Sequence, residues 1–319
     1  MFRTRKYLMV LLSAVAFIFT VAFQPQKEKN EVLTKEQLGE KLFFDPILSK
    51  GMAISCASCH IPDFAFADSA AFSRGDKGTL LPRNSPALTN LSGRTEFFWD
   101  GRAASLEEQV LGPLSARDEM DLPIEEAVER LKKNDFYSAA FQSIFKSEVN
   151  SKNFLSAIAS FERTLETTNT PYDRYLEGDQ KAMSPSAIRG RILFIGKANC
   201  STCHSGEDFT ADRFKSIGLF NGKEFTDPGR FKITSDSSHI GVFKIPGLRN
   251  VAVTAPYMHN AMFKTLRQVV EYYNTPDKFV KNSINRDLSL GSSLNLSEGE
   301  IDDVVAFLEA LTDDRFRKK

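Results

Sequence analysis

All four cysteines of this 319-residue chain fall in two pentapeptides, Cys56-Ala57-Ser58-Cys59-His60 and Cys200-Ser201-Thr202-Cys203-His204. Cys-x-x-Cys-His is the spacing at which a c-type heme is attached. Each thiol adds across one vinyl group of the porphyrin, and the two-residue gap matches the vinyl spacing. The histidine that follows then lies under the iron as its axial ligand. A lone Cys-x-x-Cys also suits a redox dithiol or half of a zinc site. The trailing histidine, present both times, argues against both. The chain is therefore expected to fold around two covalently bound c-type hemes. Cys56, Cys59, His60, Cys200, Cys203 and His204 are their attachment and proximal residues.

The length suggests about two domains. Basic and acidic residues balance at 41 each, which gives no excess for binding nucleic acid. At the N-terminus, Arg3, Arg5 and Lys6 precede an apolar run from Tyr7 to Phe23, and Gln24-Pro25 ends it. This reads as a signal peptide over residues 1–23, with an uncleaved anchor as its rival. The run is short against the roughly 20 residues of a membrane span. Either way the body is expected in the periplasm, where c-type hemes are attached. No second segment is apolar enough to span a membrane.

Helical periodicity dominates. Lys35 to Phe43, Pro123 to Asn134 and Phe154 to Thr167 carry apolar residues at three- and four-residue spacing. Ser297 to Glu300 is a capping box, and Ile301, Val304, Val305, Leu308 and Leu311 follow as one stripe. Each heme motif is preceded by a glycine-containing helical segment with a Leu-Phe pair, a weak internal repeat. The expected fold is mainly α, with two cytochrome c-like heme domains and long loops. A break near Gly178 to Pro185 divides it into residues 32–178 and 185–319. The final helix could pack on either domain.

Iron has a second axial position to fill. His60 and His204 are proximal, so only His239 and His259 remain, both in the second half. Between Phe64 and Pro82 there is no histidine or methionine, so the first heme is expected to keep an open site, as peroxide binding requires. Met52 or Met120 could instead close it. For the second heme the candidates are Met258, His259, Met262, Tyr272 and Tyr273. In Thr265 to Asn274, the spacing of Leu266, Val269, Val270 and Tyr273 puts Tyr273 on the buried face and turns Tyr272 away. A phenolate ligand is a hard anion that favours ferric and higher oxidation states.

The ordered segments CASCH, PRNSPAL, FFWDGRAASLEEQVLGPL, DEM, CSTCH, FKIPGLRNVAVTAPYMHN and TLRQVVEYYN resemble the bacterial diheme cytochrome c peroxidase family, including its methylamine-utilisation branch. The resemblance runs from about Gly39 to Leu311. It implies that Trp99 lies between the hemes and relays an oxidising equivalent, since indole undergoes one-electron oxidation. It implies that Glu119 is the distal carboxylate, acting as base and then acid on peroxide, and that Gln109 orients peroxide or water. It places Tyr273 where the second iron takes its ligand. Asn84, Thr254 and Pro256 match residues that hold a calcium ion, and hard oxygen donors suit that cation. His259 matches a histidine near the second heme that is not usually its ligand.

Two departures stand out. Standard members carry a distal histidine shortly before PRNSP, where this chain has Asp76, and a methionine where it has Tyr273. Both point toward the methylamine-utilisation branch, and the first implies that no reductive activation is needed. The expected activity is reduction of hydrogen peroxide with electrons from a small redox protein, a cytochrome c or cupredoxin. Oxidation of side chains on a partner protein is the alternative, and a diheme electron carrier is the rival of another class. The expected assembly leaves room for a homodimer.

Overall fold

Helix α1 (Lys35–Phe44) begins with a reciprocal cap. The Gln37 N–H donates to the Thr34 hydroxyl, and the Thr34 N–H donates to the Gln37 side chain. The protein is described here by a computed structural model that covers residues 33–317. The expected leader, residues 1–23, lies outside the described residues. The elements that follow are α2 (Leu106–Ser115), α3 (Ile124–Lys133), α4 (Asp135–Phe145), α5 (Ser151–Glu162), α6 (Pro171–Leu176), α7 (Pro185–Ile195), α8 (Phe231–Thr234), α9 (Leu266–Asn274) and α10 (Glu298–Glu309). Two short strands, β1 (Phe214–Lys215) and β2 (Phe243–Lys244), pair antiparallel with Phe214 opposite Lys244. The fold is thus mainly helical. Among the described residues no helix is long and apolar enough to cross a membrane.

Two apolar clusters organise the chain. One gathers Leu38, Leu42 and Phe43 of α1, Leu131 of α3, Phe141 of α4 and Ala157, Ile158 and Phe161 of α5. The other gathers Ala187 and Phe194 of α7, Leu266 and Val270 of α9, and Ile301, Val304, Phe307 and Leu308 of α10. The final helix therefore packs on α7, settling what its sequence left open. Helix α6 precedes the Gly178–Pro185 break, yet Tyr172 and Tyr175 pack on the second cluster.

The weak repeat before the cysteines has a packing reason. A Cβ on Gly39 would lie 1.9 Å from the carbonyl oxygen of Ala157 in α5. On Gly190 it would lie 1.8 Å from that of Asp303 in α10. In both halves the helix before the heme motif crosses its partner at backbone contact, and only glycine permits that.

Helix α5 differs from its expected Phe154–Thr167. It begins at Ser151 because Asn150 and Asn153 cap each other, and it ends at Glu162. Beyond it, Thr167 is taken up by tertiary bonds. Its N–H donates to Asn90 Oδ1 at 2.8 Å, and its hydroxyl accepts from Asn90 Nδ2 at 2.8 Å and Asn250 Nδ2 at 2.9 Å. Asn90 and Asn250 are both buried and both left-handed, with φ of 60° and 64°.

Candidate active site and heme-binding centres

Each pentapeptide folds into one tight turn, Cys56–Ser58 and Cys200–Thr202. In both, the histidine N–H donates to the carbonyl of the first cysteine at 2.9 Å. His60 Nδ1 lies 3.0 Å from the Phe66 carbonyl, and His204 Nδ1 lies 3.0 Å from that of Phe209. A carbonyl can only accept, so Nδ1 carries the proton and Nε2 keeps its lone pair for a metal. Burial lowers the pKa of both rings, which favours the neutral, ligating form.

A pocket, open to solvent on one side, lies beside His60. Its wall includes Cys56, Cys59, Gly75, Leu81, Ser85, Gln109, Pro113, Glu119, Met120 and Glu162. Gln109 and Glu119 thus both line the space beside His60. Burial is the main cause that raises the Glu119 carboxyl above its ordinary value, with Asp118 adding and Arg102 opposing. Such a carboxyl can hold and release a proton nearer neutrality. Met52 is exposed, whereas Met120 lines the wall.

The loop bearing Glu119 is fixed from two sides. Lys50 N–H donates to the Met120 carbonyl at 2.9 Å, and Asp76 N–H donates to the Glu119 carbonyl at 2.7 Å. The Asp76 side chain accepts from the Gly51 N–H at 2.8 Å. Gly75 makes this approach possible, since a Cβ there would lie 2.0 Å from the Asp118 carbonyl oxygen. Where standard family members place a histidine, this chain has an acidic residue tying two loops together.

The asymmetry of the halves is written into a second repeat. Bridge Phe97–Ala103 leads into α2, capped by Ser105, and bridge Tyr257–Phe263 leads into α9, capped by Thr265. Phe98 and Gly101 take positive φ in one loop, Met258 and Ala261 in the other. Trp99 and His259 then hold the same place in the two loops. Pro113 and Tyr273 are each the eighth residue of their helices. The first half has a ring without a donor atom where the second has a phenol.

Tyr273 and Cys200 both pack on the second apolar cluster. Burial, chiefly, and then Tyr272 and the two thiols push the Tyr273 phenol well above the usual range. It stays protonated unless a cation is beside it. The periodicity argument for its face needs correcting. Tyr272, expected to turn away, is fully buried and donates its hydroxyl to the Ile217 carbonyl at 2.5 Å, while Tyr273 is only partly buried. Helix α9 is clasped on two sides, by its own cluster and by the 217–219 loop, so one apolar stripe does not describe it.

Trp99 joins the halves. Its indole N–H donates to the Asn84 carbonyl at 2.8 Å, and its own carbonyl accepts from Lys244 N–H at 2.8 Å. Asn84 N–H donates to the His259 carbonyl at 2.8 Å. The His259 ring stacks on Phe243 with centroids 3.7 Å apart, and meets Trp99 edge-on at 6.4 Å. Burial lowers its pKa to about 4, so it is neutral. Both amide protons of Asn84 go to the carbonyls of Ala70 and Ala71, at 3.2 Å each, leaving Oδ1 as its unused oxygen. The Thr254 hydroxyl donates to the Val251 carbonyl at 3.2 Å, so its backbone oxygen is the one left to offer.

A family model described as di-haem cytochrome c peroxidase matches residues 33–181. The chain is 39% identical over 290 residues to methylamine utilization protein MauG of Methylorubrum extorquens, covering 89% of this chain and 80% of that protein. It is 36% identical over 282 residues to cytochrome c551 peroxidase of Nitrosomonas europaea, covering 88% and 80%. The chain belongs to the diheme cytochrome c peroxidase family. The fold agrees: a crystal structure of a MauG-like protein associated with microbial copper homeostasis matches with a TM-score of 0.79 at 30% identity, covering 89% of this chain and 92% of that one.

As a diheme peroxidase the protein is an oxidoreductase with two c-type hemes. Its residues fit them. Two histidines present Nε2, each beside a thiol pair, and a pocket opens beside His60. Sequence reasoning missed Pro113, the counterpart of Tyr273. Aligning FFWDGRAASLEEQV with YMHNAMFKTLRQVV would have found it. It also missed Glu162, whose place in an apolar helix carried no signal.

Proposed function

We propose that the cavity beside His60 is where hydrogen peroxide is reduced, and that the half around His204 feeds it electrons. The observation that carries this is the pairing of Pro113 with Tyr273. The helix that offers a phenol in one half offers no ligand atom in the other. On this reading the first apolar cluster is the core of a cytochrome c-like domain over residues 32–178, and the second, on which Tyr172 and Tyr175 also pack, is the core of one over residues 185–319. When bound, the hemes supply the redox chemistry.

The chain's own residues supply the rest. Glu119 takes a proton from the near oxygen of peroxide and returns it to the leaving oxygen. Gln109 orients the peroxide. Pro113 and the apolar wall keep competing ligands out. Trp99 lies on the path between the halves, anchored through Asn84 to the His259 loop. Tyr273 becomes a phenolate only beside a cation, and with His204 it would hold the second heme's iron, where a hard anionic donor would favour ferric and higher states. Asn84 Oδ1 and the carbonyls of Thr254 and Pro256 are suited to a calcium ion that stiffens this junction.

The partner is a small redox protein, a cytochrome c or cupredoxin, in the periplasm, and a homodimer is compatible with this reading. A second reading, oxidation of side chains on a partner protein, is favoured by Tyr273 and Asp76 and by the likeness to MauG. Turnover separates the two. Rapid peroxide consumption with a small electron-carrier protein supports the first, and poor consumption the second.

Electron paramagnetic resonance of the oxidised protein tests the shared core of both. A high-spin ferric signal from one heme and a low-spin signal from the other are expected. Two low-spin signals would mean that a side chain closes the first site, and would favour an electron carrier.

A further inference from the structure

Asp68 is a buried carboxylate with no cation beside it. It is 5% exposed and follows His60 by eight residues. Its Oδ1 accepts from the Ala70 N–H at 2.7 Å, and its Oδ2 accepts from the Ser73 hydroxyl. Among the described residues it has no ion-pair partner. The second half treats the matter differently. Asp212 follows His204 by eight residues and pairs with Lys244. Burying an acid costs free energy unless it is paired or well hydrogen-bonded, so an unpaired one calls for a reason.

The surroundings of Asp68 supply that reason. Ser73 lies 2.7 Å from Ser85, both are buried, and Ser85 lines the cavity beside His60. Ser73 has one proton and gives it to Asp68. Ser85 must therefore donate to Ser73, which leaves the Ser85 oxygen lone pairs toward the cavity. Carboxylate and hydroxyl dipoles thus present the same sign to the first heme pocket.

We infer that Asp68, with the Ser73–Ser85 chain, is a fixed negative element that holds the first heme's reduction potential down. Reduction brings an electron to iron beside an existing anion, and in a poorly screened interior that is disfavoured. The ferric form and states above it gain by the same interaction. Asp68 is thus a tuning residue that acts through the field at the pocket and His60. The inference rests on heme being attached at Cys56 and Cys59.

The test is a spectroelectrochemical titration of the two-heme protein. Asp68→Asn keeps the shape and removes the charge. It should raise the first heme's ferrous-to-ferric ratio at fixed potential about tenfold, equivalent to ~59 mV for one electron, and leave the second heme in place. Ser73→Ala keeps the charge and breaks only the hydroxyl chain, so it should raise the first midpoint by less than half as much. If Asp68→Asn does not mature, Asp68→Ser removes the same charge and should give the same rise. An unmoved first midpoint in the neutral variant, or an equal rise in Ser73→Ala, overturns the inference. A wild-type protein with fewer than two hemes by pyridine hemochrome overturns the heme assignment instead.

Discussion

Glu162 shows how a single side chain can be held out of its usual state. It is 3% exposed, lines the cavity beside His60, and its Oε2 has no hydrogen-bond partner. Burial drives its pKa up from 4.5 to about 8, with Arg163 opposing and Glu107 adding. Between those two values the folded chain keeps a proton that the unfolded chain has released. Stability therefore falls as pH rises through that window. Glu162→Gln removes the titration, so the melting temperature of the heme-loaded variant should fall less than that of the wild type between pH 5 and pH 8. Parallel declines would show that the group does not titrate there. A glutamate in the run Phe154 to Thr167 reads as a solvated position, and only the closing of α5 onto α1 makes it a buried one.

At the scale of elements, the crossings of α1 with α5 and α7 with α10 decide the architecture. The Leu-Phe pairs and the glycines before each heme motif are legible in the chain. That each glycine touches a carbonyl from a helix more than a hundred residues away is not, because contact across such a separation leaves no local pattern. Gly190→Ala would push a methyl group to 1.8 Å from the Asp303 carbonyl oxygen, and backbone cannot yield as a flexible side chain does. A loss of about 3 kcal/mol or more is expected in denaturant unfolding. Gly299→Ala in α10 meets nothing within 4 Å and should be neutral or stabilising by up to about 1 kcal/mol. Equal effects at the two positions would mean that the crossing is not rigid. Helix α9 gives the same lesson in reverse. Its apolar spacing was legible, but the burial of Tyr272 depended on a loop that periodicity does not see.

Across the whole molecule, buried charges join the parts that precede and follow the break. Arg83 reaches Asp100 at 2.6 Å and Asp227 at 2.6 and 2.9 Å, and lies over the Phe243 ring on which His259 stacks. Arg83 first, together with the Gly229 N–H, outweighs burial and holds Asp227 at about 2. Arg83→Met should cost about 3 kcal/mol in unfolding measurements, since buried Asp100 and half-buried Asp227 lose their shared cation. Arg267→Ala, in an exposed network with Glu298 and Asp302, should cost under about 1 kcal/mol. A comparable loss at both would deny the junction its special weight. The heme attachment, the helices and their caps are fixed by the chain locally, because covalent spacing, periodicity and capping act within a few residues. Which oxygen atoms face the first heme pocket, which acids are left without a cation, and why Pro113 and Tyr273 oppose each other are settled only by packing, because burial and charge pairing depend on distances that the order of residues does not set.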